Sequence, residues 1–294
     1  MKISLIGCGE VGRCYAQAIR HAGYRVDVLC DAHPSDAAHD LARALGAREE
    51  SHVGDWIAES DLVISAVFGG VALAVASDAL PRMKAGACYA DFTTADPEHM
   101  RTAAELAASH GVAFADVAIT GAIGMTGAAT PLLCAGDGAP RVVPVLSAAG
   151  APIKVVGAQA GDAATLKLLR SVFTKGLEAL AVECLVAAEK KNLRAALYDV
   201  LSDIDQASLT QFLESCVRSH VVHANRRLAE VREAKRQMRK DALEPLVLDG
   251  VEALFERTAN ALKQDAAPNP NTIENSLAWL ETQATSSVEV DVKK

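Results

Sequence analysis

Through the first half of the chain, short apolar runs alternate with stretches whose apolar residues recur every three or four positions. Lys2–Ile6 is an apolar run that ends in glycines, and 10–22 has helical spacing. Residues 25–30 read as a strand. Residues 35–45 open on the capping residue Ser35 and continue as a helix. Further strands are predicted over 61–67, 87–91 and 112–118, with shorter ones at 132–134 and 153–156. Residues 96–110 form a helix with Pro97 in its first turn, where the missing N–H costs nothing. Strands alternating with helices predict βαβ units and a mostly parallel sheet.

Near residue 160 the pattern becomes helical throughout. Helices are predicted over 162–190, 193–200, 205–216, 218–240, 244–263 and 271–283, with Pro268-Asn-Pro270 breaking the chain before the last. The segment 162–188 is apolar almost all round, which predicts a buried helix. Lys167, Arg170, Ser171, Thr174, Lys175 and Glu178 nevertheless fall at i, i+3, i+4, i+7, i+8 and i+11, in one narrow polar stripe. Periodicity leaves two readings open. Either the stripe lines a cleft, or it faces solvent with Lys175 and Glu178 as an ordinary surface pair.

Gly7-Cys8-Gly9-Glu10-Val11-Gly12 follows the first strand and opens the first helix, matching G-x-G-x-x-G. Gly7 allows the tight turn, Gly9 lets a pyrophosphate approach the backbone, and Gly12 lets helix and strand pack closely. The helix start, with Glu10 and Val11, offers free N–H groups to phosphates. Asp31 stands where the second strand ends. There it accepts hydrogen bonds from an adenosine ribose and repels a 2′-phosphate, which favours NAD over NADP. The expected fold class is an α/β Rossmann-type domain over 1–160, followed by an all-α domain over 161–284 and a polar, frayed tail over 285–294.

Composition narrows the partners. The chain has 294 residues, 50% of them hydrophobic and only 4% aromatic, so its core is mostly Ala, Val and Leu. A net charge of −8 argues against a nucleic-acid binder. The basic run 226–240 carries an apolar seam of Val221, Ala224, Leu228, Val231 and Met238, as a packing helix does. The 7 cysteines are scattered and include no C-x-x-C pair, which points to reduced thiols rather than disulfides or a zinc site. His220 and His223 have helical i, i+3 spacing but no third ligand, so no metal is expected. The apolar start is too short for a secretory signal, and Lys167, Arg170, Lys175 and Glu178 interrupt 162–188 as a membrane span. A soluble, cytoplasmic protein is expected.

The fingerprint, Asp91-Phe-Thr-Thr94-Ala-Asp96-Pro97, Asp116-Val-Ala-Ile-Thr120-Gly121-Ala122 and Gly161-Asp-Ala-Ala-Thr-Leu-Lys167 occur in that order. Together they resemble the β-hydroxyacid dehydrogenase family, which includes 3-hydroxyisobutyrate and 6-phosphogluconate dehydrogenases. The resemblance covers about 1–180. Beyond it, Thr174-Lys175-Gly176 and His223-Ala-Asn-Arg226-Arg227 with Glu230 look like a less characterised branch with a phosphogluconate-dehydrogenase-like C-terminal domain.

The resemblance implies a long interdomain helix and a helical domain that builds a homodimer. It places Lys167 as the catalytic acid/base, Thr120, Gly121 and Ala122 on the substrate loop, Thr94 near the nicotinamide, and Ala66 and Val67 beside the cofactor. Three departures are plain. The loop reads Thr-Gly-Ala rather than Ser-Gly-Gly. The family's Asn pair is replaced by Arg170 and Ser171, and the Arg170 fork suits a carboxylate. Asp31 lies one position later than the acid of some NAD-using members, where NADP-using members often have Arg. The expected activity is hydride transfer between NAD and a small anionic β-hydroxy acid held by Thr120, Gly121, Ala122, Arg170, Ser171 and Lys175. Imine or keto reduction on the same scaffold and a non-catalytic NAD sensor are the alternatives.

Overall fold

In the computed structural model the described residues are 1–93 and 95–285. The expected role of Thr94 near the nicotinamide and the expected fraying of 286–294 lie outside them. The chain divides into two compact units, Met1–Phe173 and Thr174–Lys294.

The first unit holds one sheet of β1 (Lys2–Ile6), β2 (Arg25–Cys30), β3 (Arg48–Glu50), β4 (Leu62–Ser65), β5 (Cys88–Asp91), β6 (Ala113–Ile119), β7 (Leu132–Ala135) and β8 (Ile153–Gly157). The order is β3-β2-β1-β4-β5-β6-β7-β8. Pairing is parallel from β3 to β6; β7 then runs antiparallel to β6, and β8 parallels β7. The sheet is interleaved with α1 (Glu10–His21), α2 (Asp36–Leu45), α3 (Ala72–Ala79), α4 (Pro97–Ser109), α5 (Ile123–Thr126) and α6 (Ala139–Ala148). The central strands are buried on both faces. Ile3, Leu5, Ile64 and Val117 belong to one apolar cluster, and Ile6, Val63, Tyr89 and Phe114 to the other. Such two-sided burial explains why β1 and β4 read as continuous apolar runs.

The start signals acted as expected. The Ser35 hydroxyl accepts the Ala38 N–H, and the Asp96 carboxylate accepts the Glu98 N–H ahead of Pro97. The sequence did not point to β3, α3 or α6. Pro140 and Pro144 suggest a break at 139–148, but Pro140 occupies the first turn of α6 and the helix tolerates Pro144 inside it.

The second unit is helical. α7 (Asp162–Lys190) runs across the boundary and is followed by α8 (Arg194–Leu201), α9 (Leu209–Lys240), α10 (Leu246–Gln264) and α11 (Ile273–Thr285). Two expectations are corrected here. The predicted helices 205–216 and 218–240 are one helix, α9, because no Gly or Pro interrupts it near 217. It opens with a capping box in which Ser208 and Gln211 bond reciprocally. The predicted burial of 162–188 is not found either. Only Ala163 and Ala164 of α7 are buried, while Leu169 is 59% exposed and Val172 72%. In this chain α7 has far more apolar surface than its neighbours cover.

The apolar seam of α9 is partly buried as expected, through Val221, Ala224 and Leu228. α10 packs on it and buries Thr258, Ala259 and Ala261.

Candidate functional site

The carboxyl ends of β1, β2, β4, β5 and β6 carry Gly7, Asp31, Ala66, Phe92 and Thr120. In an open α/β sheet this edge, at the point where strand order reverses between β1 and β4, is where dinucleotides bind. The fingerprint has the geometry that binding requires. Gly7 has φ +91°, and a Cβ there would lie 2.5 Å from the Ala66 carbonyl oxygen. A Cβ on Gly12 would overlap the Gly7 carbonyl. A Cβ on Gly9 meets nothing, so the space in front of it is open. Gly9 is also the N-cap of α1 and makes no side-chain cap, so the first N–H groups of the helix point into that space uncapped. Glu10 is exposed beside them, Val11 packs against the core, and Ala66 and Val67 are half-buried.

Asp31 has a further task that the sequence did not reveal. One carboxylate oxygen accepts the Cys8 N–H at 2.6 Å, and the other accepts the His33 N–H at 2.9 Å. Asp31 therefore braces the glycine-rich turn, and each oxygen keeps lone pairs for a ribose. Arg13, on α1, donates to the Cys8 carbonyl at 2.8 Å and fixes the same turn from the other side. A cleft of about 300 Å³ opens next to it, lined by Asp31, Glu49, Glu50, Ser51 and His39, with His39 paired to Glu49. Three carboxylates make this a poor place for a phosphate. Burial pushes the Cys8 and Cys30 thiols up to about 12, so these cysteines stay protonated.

On the far side of the edge, β5 ends in the buried acid Asp91, and β6 carries the buried acid Asp116 at its middle. Asp116 Oδ2 accepts the N–H groups of Gly161, at 2.9 Å, and Ala164, at 3.0 Å, and so docks the first turn of α7 onto the sheet. Lys167 is three residues further along. It is half-buried; burial lowers its pKa below that of an ordinary lysine, and the negative charge of Asp116 opposes that shift. Sequence reasoning missed Asp91 and Asp116 as working groups. The available signal was a single acid in an otherwise apolar strand.

The substrate-loop residues are also at the end of β6. The hydroxyl of Thr120 donates to the Pro131 carbonyl at 2.9 Å, so its proton is already engaged. Among the described residues, the N–H groups of Gly121 and Ala122 have no partner within the chain, and both residues are exposed. Arg170 is exposed and Ser171 half-buried. Lys175 pairs with Glu178 at 2.8 Å on an exposed face, which is the solvent reading of that part of the stripe. His220 bonds the Thr258 hydroxyl at 2.8 Å and meets Phe255 edge-on, and no metal-ligating group of three occurs among the described residues. Nor is any helix there long and apolar enough to cross a membrane.

Residues 2–157 match the family described as the NAD binding domain of 6-phosphogluconate dehydrogenase, and residues 188–258 match a domain of unknown function, DUF1932. An uncharacterised 28.5 kDa protein in the 7S RNA 5′ region of Methanothermus fervidus is 29% identical over 256 residues, which is 87% of this chain and 98% of that protein. A solved conserved protein of unknown function, described as structurally similar to 3-hydroxyacid dehydrogenases, is 30% identical. It covers 90% of this chain and 99% of its own, with a TM-score of 0.63. An imine reductase from Aspergillus terreus in complex with NADPH4 shares the fold at a TM-score of 0.73 and 21% identity, over 88% of this chain and 94% of that one.

Proposed function

The chain belongs to the family built on the NAD binding domain of 6-phosphogluconate dehydrogenase, and from that premise we propose that it is an oxidoreductase moving hydride between NAD and a small β-hydroxy acid or related anionic alcohol. The observation that carries this reading is Lys167, a half-buried lysine with a lowered pKa, one turn beyond the docking of α7 on Asp116 at the dinucleotide edge.

When bound, the nicotinamide supplies the hydride acceptor. The residues present fit a dinucleotide, through the open space at Gly9 and the uncapped start of α1. In alcohol oxidation Lys167 Nζ takes the hydroxyl proton, and in reduction it returns it. The unbonded N–H groups of Gly121 and Ala122 hold the substrate carboxylate, and Arg170 adds a cationic fork. Thr120 accepts from the substrate while its hydroxyl proton is donated to the Pro131 carbonyl. The carboxylates at Asp31, Glu49 and Glu50 favour NAD over NADP. The working form is a cytoplasmic homodimer.

Imine reduction is the second reading. It rests on the fold shared with the imine reductase.

The test is turnover of a panel of hydroxy acids with NAD, followed by absorbance of the reduced nicotinamide, with NADH binding measured alongside. Lys167→Ala is expected to lower turnover about 10²–10⁴-fold with NADH binding unchanged. Full activity in that variant removes Lys167 from the chemistry. Turnover of cyclic imines but of no hydroxy acid favours the second reading, and binding without any turnover favours a sensor.

A further inference from the structure

We propose that Asp91 and Asp116 form one carboxylate pair that holds a single shared proton, and that this pair positions the first turn of α7 and tunes Lys167. The two acids are direct partners in the register of β5 and β6. Neighbouring strands lie about 4.8 Å apart, and register partners point to the same face. Both side chains are buried, Asp91 with 1% exposure and Asp116 with 0%.

Each acid uses one oxygen fully and leaves the other empty. Asp91 Oδ1 takes the Thr93 N–H at 2.8 Å and the Thr93 hydroxyl at 2.5 Å. Asp116 Oδ2 takes the Gly161 and Ala164 N–H groups. Asp91 Oδ2 and Asp116 Oδ1 are buried with no partner among the described residues. An ionised carboxylate only accepts, so with both acids charged neither empty oxygen can gain a partner from the other. One proton between them gives a charge-assisted O–H···O⁻ bond and satisfies both.

The structure also says which acid keeps the charge. The first turn of α7 directs its N–H groups and the positive end of its dipole at Asp116, so the negative charge stays there and the proton belongs on Asp91. Burial raises Asp91, the Thr93 hydrogen bonds oppose that, and the charge of Asp116 adds a smaller push upward. Burial raises Asp116 as well, against the Ala164 and Gly161 N–H bonds that favour its charge.

The other groups facing the pair are few. Ser65 of β4 is the register partner of Asp91, Tyr89 belongs to β5, and Ala135 of β7 is the register partner of Asp116, with Cys134 beside it on the other face. α7 brings Asp162 and Lys167, and Arg101 of α4 lies near Gly161 but is paired with Glu98. Lys167 is thus the cation that senses the pair, and it sees one negative charge rather than two. The shared proton stands whether or not Lys167 carries the reaction; the tuning of Lys167 rests on that reading.

The test is carbon-13 NMR of protein labelled at the aspartate carboxyl and lysine ε-carbons, followed against pH. Asp91 is expected to titrate at about 6 or above. In Asp116→Asn it should titrate lower than in wild type, with burial still holding it above the ordinary aspartate range. In the same variant the Lys167 pKa should fall by about one pH unit, since a nearby anion has been removed. Asp91→Asn reports independently, by lowering the titration of Asp116, and serves if Asp116→Asn does not fold. Two acids ionising in the ordinary range with no mutual effect would overturn the pair. An unmoved Lys167 overturns the tuning alone. A confirmed pair in a protein where Lys167→Ala still turns over sinks the proposed catalytic role and leaves the pair standing.

Discussion

Asp31 and Asp91 show how one carboxylate in this unit serves several demands. Asp31 braces the glycine turn through the Cys8 N–H while its remaining lone pairs face the ribose position. Asp31→Asn keeps one acceptor oxygen, removes the charge and gives up one of the two backbone bonds. NADPH binding is therefore expected to gain about tenfold relative to NADH, equal to about 1.4 kcal/mol, while both weaken. Fluorescence titration with the two reduced cofactors measures the ratio, and an unchanged ratio removes Asp31 from cofactor selection. Asp91 gives a pH signature. Burial raises its folded pKa to about 6, above the unfolded value of about 3.9. The native state thus binds the proton more tightly than the unfolded chain. The stability this contributes is complete below about pH 4 and is lost as pH rises through about 6, for a change of about 3 kcal/mol. Urea unfolding across that range should show the fall in wild type and a flatter profile in Asp91→Asn. Equal profiles would mean that Asp91 ionises normally. The sequence displayed Asp91 at the end of one strand and Asp116 inside the next, but nothing in it fixed their register. Only the pairing of β5 with β6 makes them neighbours.

At the scale of elements, local signals were legible where the chain satisfies its own ends. Ser35 and Asp96 cap the helices that follow them, and the alternation of β1, α1 and β2 could be read directly. α6 was hidden because a proline inside ten residues reads as a breaker, although packing of Val142, Val145 and Leu146 outweighs the lost hydrogen bond. The helix α10 was read from the sequence over 244–263, but its cap was beyond reach for a different reason. Pro245 offers no cap, and the cap comes from a residue 64 positions away. Glu183 of α7 accepts the Val247 N–H at 2.7 Å and the Leu248 N–H at 3.0 Å, with one oxygen for each. A carboxylate here satisfies two end groups and meets the positive end of the helix dipole. Glu183→Ala is expected to destabilise the helical unit by about 1 kcal/mol, with Glu183→Gln intermediate. Unfolding followed by circular dichroism measures it, and a loss below the error of that measurement would show that water caps α10 equally well.

For the whole molecule, the outstanding physical fact is the uncovered surface of α7. Sequence periodicity correctly showed a helix apolar almost all round, and that pattern normally means burial within the chain. Instead Leu169, Val172, Leu177 and Val182 are each more than half exposed. A helix with that composition does not remain in water as a stable surface, because each large aliphatic side chain left uncovered forgoes about 1.5–3 kcal/mol of burial. The net charge of −8 gives no help, since the polar stripe of α7 is narrow and the exposed leucines and valines lie outside it. A second copy of the chain is the covering the proposal requires, because a two-fold interface lets the same apolar patch bury itself. Sedimentation equilibrium is expected to give twice the 30.8 kDa chain mass for the wild type. Val172→Glu should shift the population toward monomer, since closing the interface would then bury a carboxylate with no partner of opposite charge. A control at Lys175, already satisfied by Glu178 on an exposed face, should leave the mass unchanged. A wild type that sediments as a monomer at every concentration would mean that the apolar face of α7 is covered by something other than its own copy.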